Sequence, residues 1–552
     1  MPSKASIPSR AERVRRLEDF APEVVVVGGG ITGAGIALDL TLRGVRTLIV
    51  EREDWGGATS SASSRLIHGG LRYLEHYEFS LVRDSCLERA ILLQNAAGLV
   101  WPESFLFPVH RGDRVSRPKL AAGLALYTLL SLPHPLGIPG LLSARRTAAR
   151  IPGTDEVKLR GAGQYLDGAT DDSRLTLAVI KSAIQAGALA IPRMEMLELN
   201  DGAEGAELRL RDTLNGTELQ VSARAAVLAG GPFTEALRER AQLQGDWISP
   251  TRGTHIVVPR DRVPTDGAVI FPSRVDGRVM FLIPWPRYTI VGTTDLDADP
   301  TQPIRASREE VEYLIESVNG LLPLADLEES DVISTWAGLR PLLAAPKSDP
   351  SARSREERIT REGNVFTIAG GKLTGYRSMA ETLGAELCRA INRGDKSKHS
   401  PTRTYRLSGA ISTRAARPAW SQLDERGMPQ PVSTTRMRAI AWSRRYAAFA
   451  EAVRVECGET EGGEELLDPE TMLGEVDWAV RHEDCLTLSD FFFRRTDLAL
   501  GNRDVALAAL DPVALRMEIL LGWGQDETAR QRAEFLESLT AVHAWRDDPI
   551  EK

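Results

Sequence analysis

At 552 residues, with a net charge of −8, 42% hydrophobic and 26% charged residues, the chain is sized for several domains of about 100–200 residues each. Its composition is globular, which excludes a mainly disordered, collagen-like or coiled-coil protein, and its acidic balance argues against nucleic-acid binding through bulk electrostatics. Cys86, Cys388, Cys457 and Cys485 form no CxxC pair, so a disulfide scaffold or zinc ribbon is excluded and a reducing compartment fits.

Residues 1–20 carry Lys4, Arg10, Arg13, Arg15 and Arg16 before Glu18 and Asp19. They lack the layout of a secretory signal and read as a solvated tail. Val24 to Val27 is a β-branched run that reads as a buried parallel strand. Gly28-Gly29-Gly30-Ile31-Thr32-Gly33 follows at once, Ala34 to Leu42 reads as a helix, and Thr47 to Val50 is a second strand closed by Glu51. Helical spacing runs from Leu81 to Leu99, and 101–160 is rich in proline and glycine. Within it Leu120 to Leu132 is too short to span a bilayer; it reads as a buried helix, with a membrane-surface contact as the alternative.

A strand-like run at Ala225 to Ala229 precedes Gly230-Gly231. Between about 245 and 335, short apolar runs such as His255 to Pro259 and Tyr288 to Val291 alternate with turn signals and predict an antiparallel sheet. Val365 to Ala369 is another buried strand, ending in Gly370-Gly371, with helical spacing from Tyr376. The region beyond about 400 opens with a polar linker and then reads as mostly helical, with a loop over Cys457 to Pro469.

The glycine signature sits after a strand, opens a helix and has an acid at the end of the next strand, the context a dinucleotide site requires. Gly28 permits the tight turn, Gly30 lets the backbone approach a pyrophosphate, and Gly33 lets helix and strand pack. The helix N-terminus, with Ile31 and Thr32, offers N–H groups to that pyrophosphate, and Glu51 suits the adenosine ribose hydroxyls. The stretch after Glu51, with Thr59, Ser60, Ser61, His68, Gly69 and Gly70, fits a cofactor that continues past the helix. Later glycine turns at Gly230, Gly292 and Gly371 follow apolar strands, and several strand ends converging on one elongated ligand favour FAD. Asp295, Asp297 and Asp299 hint at a calcium loop, but Pro300 and Ala306 occupy its glycine and bidentate-acid positions, so no metal is expected.

Six ordered blocks carry a resemblance: Gly28 to Gly33, Thr59 to Glu75, Arg252 to His255, Val291 to Asp295, Ala337 to Pro341 and Gly370 to Thr374. Together they resemble the FAD-dependent, respiratory-chain-linked glycerol-3-phosphate dehydrogenases over roughly residues 22–380, and Cys485 to Thr496 is similar to that family's C-terminal helical domain. Three positions depart from the pattern: Arg65 where lysine is common, Gly375 for a second threonine, and Phe233 for tryptophan.

The resemblance implies an α/β (α+β overall) architecture. Its parts are a tail over 1–20, a discontinuous Rossmann-like FAD-binding domain over 21–80, about 160–240 and 335–395, an antiparallel-sheet substrate region over about 81–159 and 241–334, and a C-terminal helical domain over about 402–552. It also implies hydride transfer from C2 of sn-glycerol 3-phosphate to flavin N5. Electrons would then pass to a membrane quinone, from an enzyme held peripherally on the inner, cytoplasmic face of the cell membrane. Arg72, Tyr73 and Lys372 are the substrate-phosphate candidates, because guanidinium and ammonium groups beside glycine turns suit a dianion. His255 is the candidate base, one of only eight histidines, with an imidazole that titrates near neutrality. Arg340 either stabilises the developing alkoxide or joins the phosphate clamp. Lys372, Leu373 and Thr374 complete the cofactor-side set, and His68 is expected to pack on the flavin. Asp171 and Asp172 read as helix caps. A homodimer is the further partner considered. The competing readings are a glycerol-3-phosphate oxidase that uses oxygen, a flavin amine or 2-hydroxy-acid oxidase, and a flavoprotein that serves as a binding module.

Overall fold

The computed structural model describes residues 6–245, 247–344, 357–393, 400–412 and 434–549. A six-stranded sheet forms one half of the molecule, in the order Glu357–Glu362, Val365–Gly370, Ala225–Leu228, Val24–Val27, Thr47–Val50, Leu189–Ile191. All neighbours are parallel except the first pair. Val24 to Val27 are at most 5% exposed, as strands covered on both faces must be. The helices Ile31–Leu42, Asp172–Ala186 and Tyr376–Ala390 cover one face. A three-stranded antiparallel meander, Met194–Gly202, Gly205–Asp212 and Glu218–Ala223, contributes to the apolar cluster on the other.

The second half is a ten-stranded, mostly antiparallel sheet. Next to one of its edges, Thr251–Pro259 pairs with both Tyr288–Gly292 and Ser334–Arg340. The apolar runs expected between 245 and 335 are strands within one or two residues of their predicted ends, apart from the His255 run, which begins at Thr251. Two segments assigned to the dinucleotide half belong to this sheet instead: Leu159–Thr170, which pairs along most of its length with Val100–His110, and Ser334–Arg340. Val100–His110 tolerates Pro102 and Pro108 because only one of its edges is fully paired; Ala268–Pro272 meets the other over two residues.

The solvated tail also needs correcting. Arg10–Phe20 is a helix with a Ser9/Glu12 capping box, and it buries Arg13 and Leu17. Arg13 is ion-paired with Asp484 of the C-terminal region. The expected apolar helix is present as Arg117–Leu130, buried through Leu120, Leu124 and Tyr127 and open on its other face. The C-terminal region is helical as predicted, from Thr434–Tyr446 to Gln525–Ala541; the expected loop over Cys457 to Pro469 begins inside the helix Ala450–Glu459 and holds the first strand, Leu466–Asp468, of a hairpin completed by Thr471–Met472. The polar linker falls largely on 413–433, outside the described residues. All four cysteines are buried and outside any disulfide.

Buried ion pairs join the C-terminal region to the six-stranded half. Arg174 forms a two-pronged pair with Glu483, 2.6 Å on each arm, and Arg495 does the same with Asp54 at 2.7 Å. Glu483 is held down to about 2 by Arg174 and Lys181, against the opposing cost of its burial. A depressed carboxyl stabilises the fold above its unfolded pKa of about 4.3, and that stability is lost as pH falls toward the folded value. Arg174→Met strands the Glu483 charge. It should cost about 3–5 kcal/mol in urea unfolding at pH 7 and flatten the loss of stability between pH 4.3 and 2.

Candidate active site

Three adjacent parallel strands end at one cavity of about 340 Å³. Val24–Val27 delivers Gly28 and Gly30, Ala225–Leu228 delivers Gly230 and Gly231, and Val365–Gly370 delivers Gly371. Strand ends at a shared crevice are where open α/β sheets bind nucleotides. The sterics show why glycine stands here: Gly28 has φ +115°, and a Cβ on Gly28 would overlap the Ala229 carbonyl, while one on Gly33 would overlap the Gly28 carbonyl. Glu51 lines the same cavity and accepts from Gly29 N at 2.6 Å and Glu53 N at 2.9 Å. Burial pushes its carboxyl up, against those two donors. Ser60 Oγ accepts from Ile31 N at 3.0 Å, at the start of the helix. A glycine floor, a helix N-terminus and an acid at the ribose end fit FAD.

A second cavity, of about 200 Å³, adjoins the first: Ile31, Thr59, Ser60, Pro341, Gly371, Lys372 and Leu373 line both. It brings His255, Arg340, His68 and Thr374 together with Lys372. His255 is 2% exposed, stacked on Trp336 with centroids 5.1 Å apart, and hydrogen-bonded through Nε2 to Ser64 Oγ at 2.8 Å. Its Nδ1 is buried without a hydrogen-bond partner. Burial first, then the cations Arg340 and Arg65, pull the ring down to about 3, so it is neutral at pH 7. Arg340 is held by Asp295 Oδ1 and Thr293 Oγ1, each at 2.9 Å, and by the Thr294 carbonyl at 3.0 Å. The Lys372 ammonium lies 3.9 Å over the Tyr73 ring, and Arg72 donates to Tyr73 Oη at 3.2 Å. Thr374 Oγ1 donates to the His68 carbonyl, and the His68 ring lies 6.4 Å from that of Phe281.

Several predicted residues sit elsewhere. Gly69, Gly70, Arg72 and Tyr73 line neither cavity. The Gly69 N–H donates to Asp167, and a Cβ there would overlap Tyr127 Oη and Cys86 Sγ, so this glycine serves packing around the buried Arg89–Asp167 pair. Gly70, with φ +79°, makes room for the Tyr73 ring. Ser61 turns back to the Ala58 carbonyl. Gly292 faces His255 across the large sheet, where a Cβ would overlap the imidazole. Asp171 caps its helix through Arg174 N, whereas Asp172 accepts from Ser63 N at 2.9 Å. Ser64 and Trp336 escaped notice as site residues. Ser64 lay within a hydroxyl-rich loop already in view, but nothing local marks Trp336, which reaches His255 only through strand pairing.

This cradle and its polar annex are those of a flavin-dependent oxidoreductase, and residues 23–382 match the family of FAD dependent oxidoreductases. Residues 400–528 match the C-terminal domain of alpha-glycerophosphate oxidase. The chain is 31% identical to the aerobic glycerol-3-phosphate dehydrogenase of Staphylococcus saprophyticus, over 98% of this chain and 99% of that one. It is 34% identical to the enzyme of that name from Bacillus subtilis, over 88% and 90%. The crystal structure of the glycerol-3-phosphate dehydrogenase from Bacillus halodurans complexed with FAD superimposes with a TM-score of 0.76 at 28% identity, covering 99% of both chains. The chain belongs to the family of FAD-dependent aerobic glycerol-3-phosphate dehydrogenases.

At Gly253 site geometry meets backbone tightly, since a Cβ there would overlap the Arg340 guanidinium. Gly253→Ala should displace Arg340 while leaving the cradle intact. The purified variant should keep its flavin-to-protein absorbance ratio and lose on the order of 100-fold in flavin reduction rate.

Proposed function

We propose that this chain oxidises sn-glycerol 3-phosphate at C2 to dihydroxyacetone phosphate. The observation that carries the reading is the convergence of a neutral imidazole at His255 with the cations Arg340 and Lys372 in one cavity continuous with the dinucleotide cradle. FAD, when bound, supplies the acceptor for the C2 hydride. Lys372 on the cavity wall and Arg72 behind it, both against the Tyr73 ring, seat the phosphate, since a dianion suits two cationic donors. Arg340, oriented by Asp295 and Thr293, stabilises the charge that develops on the C2 oxygen. His255 takes the hydroxyl proton at Nε2, the nitrogen that faces Ser64 on the cavity wall. A seated phosphate offsets the cationic field that pulls the imidazole down, so the ring becomes more basic when substrate is present.

The onward acceptor in this reading is a membrane quinone, reached by peripheral contact with the inner face of the cell membrane. No helix among the described residues is long and apolar enough to cross a membrane. What supports surface contact is the outer side of Arg117–Leu130 and the loop after it, where Leu129 is 61% exposed, Leu132 51% and Ile138 98%. Arg111, Arg114, Lys119, Arg145 and Arg146, all exposed, flank these residues, on a chain whose net charge is −8. Arg114 and Lys119 are paired with Glu75, which leaves Arg111, Arg145 and Arg146 beside the apolar side chains in sequence, a combination that suits an anionic bilayer surface.

Stopped-flow reduction of the bound flavin by sn-glycerol 3-phosphate tests the site. Arg72→Ala should raise the half-saturating concentration roughly 10-fold or more with a smaller effect on the limiting rate, and unchanged saturation would remove Arg72 from the clamp. His255→Ala should slow the limiting rate by about 10²–10⁴-fold; a normal rate would remove it as base. For the surface, the protein should float with vesicles containing anionic lipid and not with purely zwitterionic ones. Ile138→Asp combined with Leu132→Asp should abolish flotation while leaving flavin reduction intact.

A further inference from the structure

The ring that holds His255 does not end in the cavity. Arg65, 3% exposed and in a left-handed turn with φ +56°, follows Ser64 directly. Its guanidinium lies 4.4 Å over the Trp285 ring and 5.5 Å from that of Trp336, the indole on which His255 stacks. Its ion-pair partner at 2.9 Å is Asp497, 432 residues away in the C-terminal region. The second Asp497 oxygen accepts from Trp285 Nε1 at 3.0 Å. One carboxylate therefore seats both the cation and the indole beneath it. Asp171 and Asp172 stand farther from Arg65, each at 3.9 Å.

We propose that Asp497 is a positioning residue for the oxidation: through Arg65 it fixes the Ser64–Arg65 turn and the Trp336 face that hold His255, so the C-terminal helical region closes the active site. The proposal rests on the reading of His255 as the base. Two physical consequences follow from the arrangement. A left-handed turn at an arginine is strained and persists only where its side chain is pinned, and Asp497 supplies the pin. The Arg65 charge is also one of the two that keep the imidazole neutral, after burial and Arg340. The other charged groups around the ring are already engaged. Arg340 is paired with Asp295. Glu310 is taken up by Thr254, Thr294 and Arg252, Asp172 by Ser63 N, and the Lys372 ammonium lies over Tyr73. His68 shares the cavity wall.

The test uses the FAD-loaded full-length protein, labelled at histidine Cε1, with His255→Gln identifying the His255 resonance. In Arg65→Met the titration of His255 should move upward by up to about 1 pH unit, since Arg65 is the smallest of the three effects that depress it, and the acid limb of flavin reduction should move up with it, because the neutral ring is the active form. Asp497→Asn, which leaves Arg65 charged and unpinned, should keep His255 neutral over the accessible pH range. It should slow flavin reduction on the order of tenfold or more with substrate saturation unchanged. In the double variant the two losses should not multiply, since both act through one contact. Should Asp497→Asn fail to fold, Trp285→Phe removes only the indole N–H from the same carboxylate and should slow reduction in the same sense. An unmoved His255 titration in Arg65→Met, or fully multiplicative losses, would overturn the proposal. A fast His255→Ala enzyme would sink the catalytic reading alone, because the resonance shift is measured without substrate.

Discussion

Concentrating positive charge in a buried cavity is costly unless each cation is balanced on its far side. Arg340 meets this constraint through Asp295, Arg65 through Asp497, and Arg252 through Glu310. The carboxylates balance the cations from behind. Burial first, and the Arg340 and Arg65 charges after it, keep His255 unprotonated, so in the proposed reading phosphate recognition and the availability of a base would arise from one arrangement. Glycine at 253 and 292 creates the room in which Arg340 and His255 lie against strands.

The dinucleotide end was almost fully legible in the sequence, because its information is local. A β-branched run, a glycine turn and a terminal acid occupy residues 24–51, and the strands fall at Val24–Val27 and Thr47–Val50 as predicted. His255, Arg340 and Lys372 were legible as candidates: His255 as one of eight histidines, in a strand-like run, Arg340 before Pro341 and Lys372 after a glycine turn. What could not be read was pairing at a distance. Trp336 meets His255 through strand register, and Asp497 meets Arg65 across 432 positions; no periodicity encodes either contact. The misplacement of Leu159–Thr170 and Ser334–Arg340 has the same origin, because a strand's sheet is chosen by partners remote in sequence. Two signals were present and passed over. Ser9-Arg10-Ala11-Glu12 is a capping box at the head of the supposed tail, and Gly69 looked like a cofactor glycine when its demand comes from packing against Tyr127 and Cys86.

The C-terminal region gains a definite structural meaning from these contacts. Its charged side chains reach the six-stranded half at Arg174 and Asp54, and the substrate half at Arg65 and Trp285. It therefore bridges both walls of the cleft in which, in the proposed reading, hydride and proton would leave the substrate. Small errors in such a wall matter, because reacting groups displaced by about 1 Å can cost on the order of 100-fold in rate. The open apolar face of Arg117–Leu130 lies on the substrate half, so contact with a bilayer there need not disturb the bridge.

The central claim, that one cavity pairs FAD with a phosphorylated secondary alcohol, is tested most directly by anaerobic titration of the yellow protein with sn-glycerol 3-phosphate while flavin absorbance is followed. The account predicts bleaching at stoichiometric substrate and none with glycerol, which lacks the charge that the proposed Arg72 and Lys372 clamp would meet. A flavin that stays oxidised with the phosphate ester, or that glycerol reduces equally well, would contradict it.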